Sequence, residues 1–323
     1  MGDTNVDDVP DSRSARAPAP GIVCLGESMV LVTPAASTPL REATQAWLRV
    51  AGAESNTAQY LADLGHRVTW VSRVGADPLG ERIVSEIAAS GVGTRAVVRD
   101  PGAPTAVYFK DPAPEKTDVY YYRTGSAASR LSPRDLDAVD LSAGPLAYTS
   151  GVTVALSASC AEAVSVLFDR TREAGGVRAF DVNHRAGLWN TGEASTALLD
   201  TARRADIVLV GLDEAAVLWG TASPDDVRDL IGGPARLIVK DADVGATLFD
   251  ETGRHFEPAE KVEVVEPVGA GDAFAAGYLS ALLAGAPPGA CLRLGHRTAA
   301  LALGSTADHV DASHLRALRE VRS

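Results

Sequence analysis

Apolar residues along this chain fall into short solid runs and longer runs of helical period, and the two kinds alternate. The first solid run is Ile22-Val23-Cys24-Leu25, closed by Gly26-Glu27; it reads as a buried strand. Residues 53–64 follow with Ala58, Leu61 and Ala62 on an inner face and Gly65 as the stop, which predicts a helix. Residues 68–71 predict the next strand, and 80–90, with Ile83, Val84, Ile87 and Ala88 at helical spacing, the next helix. Strands are predicted again at 146–149, 177–180, 207–210 and 237–240, with helices at 161–174, 195–204 and 225–231. Such alternation implies an α/β fold, a mostly parallel sheet with helices on both faces. Ligands of these sheets bind beyond the carboxyl ends of the strands. Gly26, Asp181, Gly211 and Asp241 fall there.

Two stretches break the rhythm. Residues 30–50, with Trp47, show no helical repeat, and residues 106–110 and 119–123 are β-rich, with three consecutive tyrosines at 120–122. Together, about 31–51 and 104–125 predict a small discontinuous β-sheet that lies as a lid over the main cleft; an edge hairpin is the simpler alternative. Residues 1–20 mix Asp, Ser, Arg, Ala and Pro without an apolar centre, and predict a disordered tail rather than a signal peptide. The folded domain is then 21–323.

Composition narrows the partners. The net charge of −12 over 323 residues argues against a nucleic-acid partner held by its backbone. No apolar run reaches the roughly 18 residues of a membrane span. Cys24, Cys160 and Cys291 are far apart and lack CxxC spacing, which points to packed thiols in a reducing, cytoplasmic compartment. His309 and His314 are five apart, off the spacing of a helical metal site.

The chemistry concentrates in Val268-Gly269-Ala270-Gly271-Asp272-Ala273-Phe274-Ala275-Ala276-Gly277. Small residues let backbone N–H groups approach an anion, and the helix that starts here points its positive end at the same place. A carboxylate among them reads as a base beside a phosphate. The run is not a dinucleotide fingerprint, since Phe274 takes the place of the third glycine, nor a Walker A loop, since the chain has no Gly-Lys dipeptide. A glycine turn with an aspartate in the first turn of a helix is the purely structural alternative.

Residues 269–277 resemble the second signature of the ribokinase-like (PfkB-type) carbohydrate kinases. Ala51-Gly52-Ala53-Glu54-Ser55-Asn56 with Arg73-Val74-Gly75-Ala76-Asp77-Pro78-Leu79-Gly80 resembles the first. The likeness runs in order from about residue 22 to about 311. It implies a ribokinase-like three-layer αβα sandwich with a small β-sheet lid, and transfer of the ATP γ-phosphate to a sugar hydroxyl. It further implies Asp272 as the base that takes the proton of the attacking hydroxyl. The amides of Gly269, Ala270 and Gly271 would stabilise the transferred charge. The runs 120–129 (YYYRTGSAAS) and 181–189 (DVNHRAGLW) resemble the 2-keto-3-deoxygluconate kinase branch. That likeness implies a sugar-acid substrate gripped by Arg123 and Arg185, whose forked guanidinium groups suit a carboxylate. Tyr108, Tyr121, Gly52 and Asn56 complete the implied substrate contacts.

For the nucleotide, the resemblance implies Lys240, Gly245 and Thr247 around the phosphates with Gly269 and Gly271, and His296 near the base. Glu214 is implied on a Mg²⁺-bound water. Five positions depart from the family pattern. Ala51, Ala242 and Ala307 stand for glycines, Gly211 for an asparagine, and Glu266 for an aspartate beside a K⁺ site, which counts against K⁺. The expectation is an ATP- and Mg²⁺-dependent kinase acting on the terminal hydroxyl of 2-keto-3-deoxygluconate or a close relative, associating with itself through the lid edge. A fructokinase-like neutral-sugar kinase and a catalytically weak sugar-binding regulator are the alternatives.

Overall fold

The run Ile22–Leu25 is a strand (β1) buried on both faces: Ile22 and Cys24 enter one apolar layer, Val23 and Leu25 the other. That is why it reads as solid rather than alternating. The computed structural model describes residues 21–304, except 37, 114–116, 144 and 266–267. The expected tail at 1–20, and Glu266, Ala307, His309 and His314, lie outside the described residues. After β1 the chain forms β2 (Met29–Pro34), β3 (Ala46–Ala51), α1 (Ala53–Asp63), β4 (Val68–Gly75), α2 (Pro78–Ala89), β5 (Val97–Asp100), β6 (Val107–Asp111) and β7 (Asp118–Tyr122). Next come β8 (Leu146–Ser150), α3 (Gly151–Leu156), α4 (Ala158–Glu173), β9 (Val177–Asp181), α5 (Thr191–Arg204), β10 (Ile207–Gly211), α6 (Leu212–Trp219) and α7 (Pro224–Ile231). The chain closes with β11 (Arg236–Asp241), β12 (Gly245–Asp250), β13 (Gly253–Pro258), α8 (Ala270–Leu283) and α9 (Pro288–Leu303).

Nine strands make the main sheet in the order β13-β12-β11-β10-β9-β8-β1-β4-β5. From β11 to β5 every pairing is parallel; β12 and β13 add an antiparallel margin. One face carries α1, α2, α8 and α9 through Tyr60, Leu61, Ile83, Tyr278 and Leu292. The other carries α4 to α7 through Leu167, Phe168, Leu198, Leu218 and Val227. The result is a three-layer αβα sandwich.

Three helices begin two to four residues before the expected positions, and capping explains each. Asp77 accepts from Gly80 N at 2.8 Å, with Pro78 in the first turn of α2. Ser157 accepts from Cys160 N at 3.1 Å and Asn190 from Glu193 N at 2.9 Å, opening α4 and α5. All three cysteines are free and buried. Among the described residues, no helix is long and apolar enough to cross a membrane.

A second sheet of four strands, in the order β3-β2-β6-β7, is built from the two β-rich segments. Its β2 and β6 run parallel; its outer pairs are antiparallel. Met29, Leu31, Ala51, Ala106 and Tyr108 form an apolar cluster of their own, while Val30, Val50 and Val107 join the main core.

Candidate active site

The N-terminus of α8 is made by Gly269, which takes a left-handed backbone (φ 84°) that a residue with a Cβ adopts at a cost. No side chain caps this end. The first-turn N–H groups of Ala270, Gly271 and Asp272 are therefore open to an anion, and the helix dipole favours one.

Asp272, in that first turn, is 7 % exposed. Its Oδ2 accepts from Asn56 Nδ2 at 2.9 Å, and its Oδ1 from Asn183 Nδ2 at 3.4 Å. Thr57 Oγ1 donates to the Asp272 carbonyl at 3.3 Å, fastening α1 to α8. Burial pushes the carboxyl up from its ordinary 3.8 to about 7; the Asn56 hydrogen bond and the charge of Arg185 pull the other way. A base poised near neutrality is well matched to proton abstraction from an alcohol.

Lys240, at the end of β11, puts its Nζ 3.0 Å from Asp181 Oδ2 at the end of β9. The same ammonium comes within 3.7 Å of where a side chain on Gly271 would begin. Burial lowers its pKa, but the surrounding carboxylates of Asp181, Glu214 and Asp272 win, and it stays charged. Glu214 accepts from Gly211 N at 2.9 Å and stands 3.8 Å from Arg185. Among the described residues no three His, Cys, Asp or Glu are grouped to hold a metal. Mg²⁺ carried by a nucleotide keeps several waters and needs few carboxylates, so Glu214 fits a water-mediated role and no more.

Arg123 and Arg185 line one cavity of about 310 Å³, together with Tyr121, Gly125, Ser129 and Leu188. They are not equivalent. Arg123 is buried and paired with Glu27, the residue after Gly26; Glu27 also accepts from Ser126 Oγ at 2.9 Å. The Arg123 guanidinium lies 5.5 Å from the centre of the Tyr121 ring, and its buried Nε has no partner. Arg185 is half-exposed. Tyr108 is buried behind Tyr121, with ring centres 5.4 Å apart.

Other expected contacts sit differently. A Cβ on Gly52 would come within 2.3 Å of the Glu27 carbonyl, so this glycine serves the crossing of two protein segments. Gly245 opens β12 opposite Asp241, but Thr247 is buried between Val239 and Phe256 within the sheet. His296, expected near the nucleobase, is buried edge-on to Phe274, and its Nε2 lies 3.1 Å from the Glu257 carbonyl. Ala242, in place of a glycine, holds a left-handed backbone (φ 41°), which is why glycine suits that position. Sequence reasoning missed Glu27 and Asn183 as partners of Arg123 and Asp272. The position of each just past a strand, at the ligand-bearing edge, was the available signal.

The model of the pfkB family carbohydrate kinases matches residues 19–313. The chain is 34 % identical to the 2-dehydro-3-deoxygluconokinase of Thermoproteus tenax, over 89 % of this chain and 90 % of that protein. It is 32 % identical to the 2-dehydro-3-deoxygalactonokinase of Haloferax volcanii, over 87 % of this chain and 90 % of that one. Among solved structures, a PfkB protein from Polaromonas sp. JS666 superposes with a TM-score of 0.83 at 33 % identity, covering 93 % of this chain and all of that one. With the αβα sandwich, the second sheet and the buried aspartate at the head of α8, this chain belongs to the pfkB family of carbohydrate kinases.

Proposed function

We propose that the protein is an ATP-dependent kinase of a sugar acid, phosphorylating the terminal hydroxyl of 2-keto-3-deoxygluconate or its galactonate epimer. The observation that carries this reading is the cavity shared by Arg123, Arg185 and Tyr121. Two guanidinium groups in one small cavity suit a carboxylate-bearing ligand. The likeness to kinases of both epimers leaves the configuration at one hydroxyl open, and supports the acid class over neutral sugars.

Asp272 accepts the proton of the sugar hydroxyl as its oxygen attacks the γ-phosphorus. The bond from phosphorus to the β,γ-bridging oxygen breaks, and ADP leaves with those electrons. The first-turn amides of α8 face the equatorial oxygens, where charge gathers in the transition state. Lys240 turns its ammonium toward the same oxygens. Glu214 would hold a water of Mg²⁺ arriving with the nucleotide, an ion that would neutralise phosphate charge there. Arg185 takes the substrate carboxylate; Arg123, tied to Glu27, supplies its remaining N–H edge. The small sheet covers the cleft and keeps water from the phosphoryl group. Its outward Leu48, Tyr120 and Tyr122 are exposed, which supports self-association through that sheet; sedimentation measures it.

A panel of 2-keto-3-deoxygluconate, 2-keto-3-deoxygalactonate, fructose and ribose with ATP tests the reading. Turnover of an acid at least tenfold above the neutral sugars is expected. Robust fructose turnover with none on either acid would sink it. The neutral-sugar reading has one observation behind it: the charge of Arg123 is already balanced by Glu27.

A further inference from the structure

Asn183 follows β9 by two residues and is buried, yet its backbone is left-handed (φ 37°). Outside glycine this region is costly, and asparagine and aspartate tolerate it best. Its backbone N–H donates to Asp181 Oδ1 at 3.2 Å, which fixes the turn. The turn delivers its amide to Asp272, 89 residues further along the chain. The Asn183 side chain therefore has a task beyond packing. A carboxylate only accepts, so the amide nitrogen must face Asp272, and the oxygen must point away. That oxygen is buried and without a partner, as is Oδ1 of Asn56 on the opposite side of Asp272. Two buried acceptors beside a base suit a ligand rich in hydroxyl donors, and an unfilled buried acceptor is otherwise costly.

We infer that Asn183 is a positioning residue for the base: with Asn56 it holds one carboxylate oxygen each, fixes the plane of Asp272, and leaves its own Oδ1 to a substrate hydroxyl next to the one that reacts. This deepens the kinase reading and rests on its assignment of Asp272 as base. The charged and titratable groups that face Asp272 are Arg185 from the turn after β9, Asp181 from β9, Tyr148 from β8, Glu54 from α1 and Lys240 from β11. An amide dipole at 3.4 Å in this dry surrounding adds to the two cations in favouring the ionised form.

Backbone and side-chain roles separate cleanly, because glycine and aspartate also accept φ 37°. If Asn183 served only the turn, Asn183→Gly and Asn183→Asp would both work normally. If its amide positions the base, both fail in different ways. Asn183→Gly loses about one hydrogen bond, so kcat falls about tenfold and the acid limb of the kcat profile moves up by about half a pH unit. Asn183→Asp sets a second carboxylate against the first, so kcat falls about a hundredfold and the limb moves up by about one unit or more. The KM for ATP stays within about twofold in both.

The assay uses whichever sugar the unaltered enzyme phosphorylates in the panel above. A neutral sugar as substrate removes the sugar-acid reading and leaves this test intact. ¹³C-carboxyl NMR titration of Asp272, assigned by its loss in Asp272→Asn, reads the same displacement without turnover, and decides the matter alone if no sugar is phosphorylated. Upward displacement of the titration in both variants is the expected result. Variants whose acid limb and NMR midpoint both stay put, whether kcat is kept or lost, overturn the inference.

Discussion

Replacing Asp272 by asparagine should cut activity sharply and stabilise the fold, and the size of the gain should depend on pH. The native carboxyl keeps its proton up to about pH 7, whereas the unfolded chain releases it near 3.8. Between those values the native state binds more protons, so this group's contribution to stability falls as pH rises. The separation amounts to about 4 kcal/mol by pH 8, at 1.36 kcal/mol per pH unit. Asparagine carries no such charge. It satisfies one of the two amides at Asp272 and faces the other with its own N–H₂, which returns about 1 kcal/mol. We predict a net gain of ~3 kcal/mol at pH 8 and less than ~1 kcal/mol at pH 5, with kcat down by about 10²–10⁴-fold. Urea unfolding of both proteins at pH 5, 6.5 and 8, extrapolated linearly to water, gives the gain at each pH. Equal gains at pH 5 and pH 8 would refute the reasoning, because they would show a carboxyl that titrates alike in both states. A variant less stable than the parent at pH 8 would refute it more directly.

Three further predictions rest on other parts of the structure. Arg185→Leu should raise the KM for the sugar acid about 10- to 100-fold and leave that of a neutral sugar unchanged, the value of one charged hydrogen bond; steady-state kinetics on both substrates decides. Glu27→Gln should destabilise the fold by about 3–5 kcal/mol, because it leaves the buried Arg123 without its counter-charge. A urea midpoint unchanged from the parent would contradict that. Ala242→Gly should keep or raise the melting temperature by about 1 °C, since relief of the left-handed strain slightly outweighs the added freedom of the unfolded chain; calorimetry reads it.

Features carried by neighbouring residues were the legible ones. Gly269 to Asp272 announce an anion-facing helix start because small residues, a carboxylate and an apolar run are contiguous. The parallel core was legible for a similar reason: strands buried on both faces, such as Ile22–Leu25 and Ile207–Gly211, are unbroken apolar runs. β13 escaped notice because its residues alternate between exposed and half-buried at a sheet margin, where no face is strictly apolar. Pairings through space were not legible at all. Glu27 and Arg123 lie 96 residues apart, and Asn56 and Asp272 lie 216 apart. Such contacts follow from strand order, which periodicity does not encode. That is why neither the Glu27 partner of Arg123 nor the Asp272 partner of Asn56 was foreseen.

The parallel pairing of β2 with β6 has a consequence for how the molecule forms. Val30 meets Val107 only after α1, β4, α2 and β5 have been laid down between them. The β2–β3 hairpin is two-stranded on its own, and such a hairpin is marginal in water. Loop closure over that span is costly until the intervening segment has collapsed. The small sheet should therefore complete itself late, on a core already built, and a fragment cut out around either half should stay unstructured. The sheet that stands apart from the main sheet in the fold is thus also the one that waits its turn in folding.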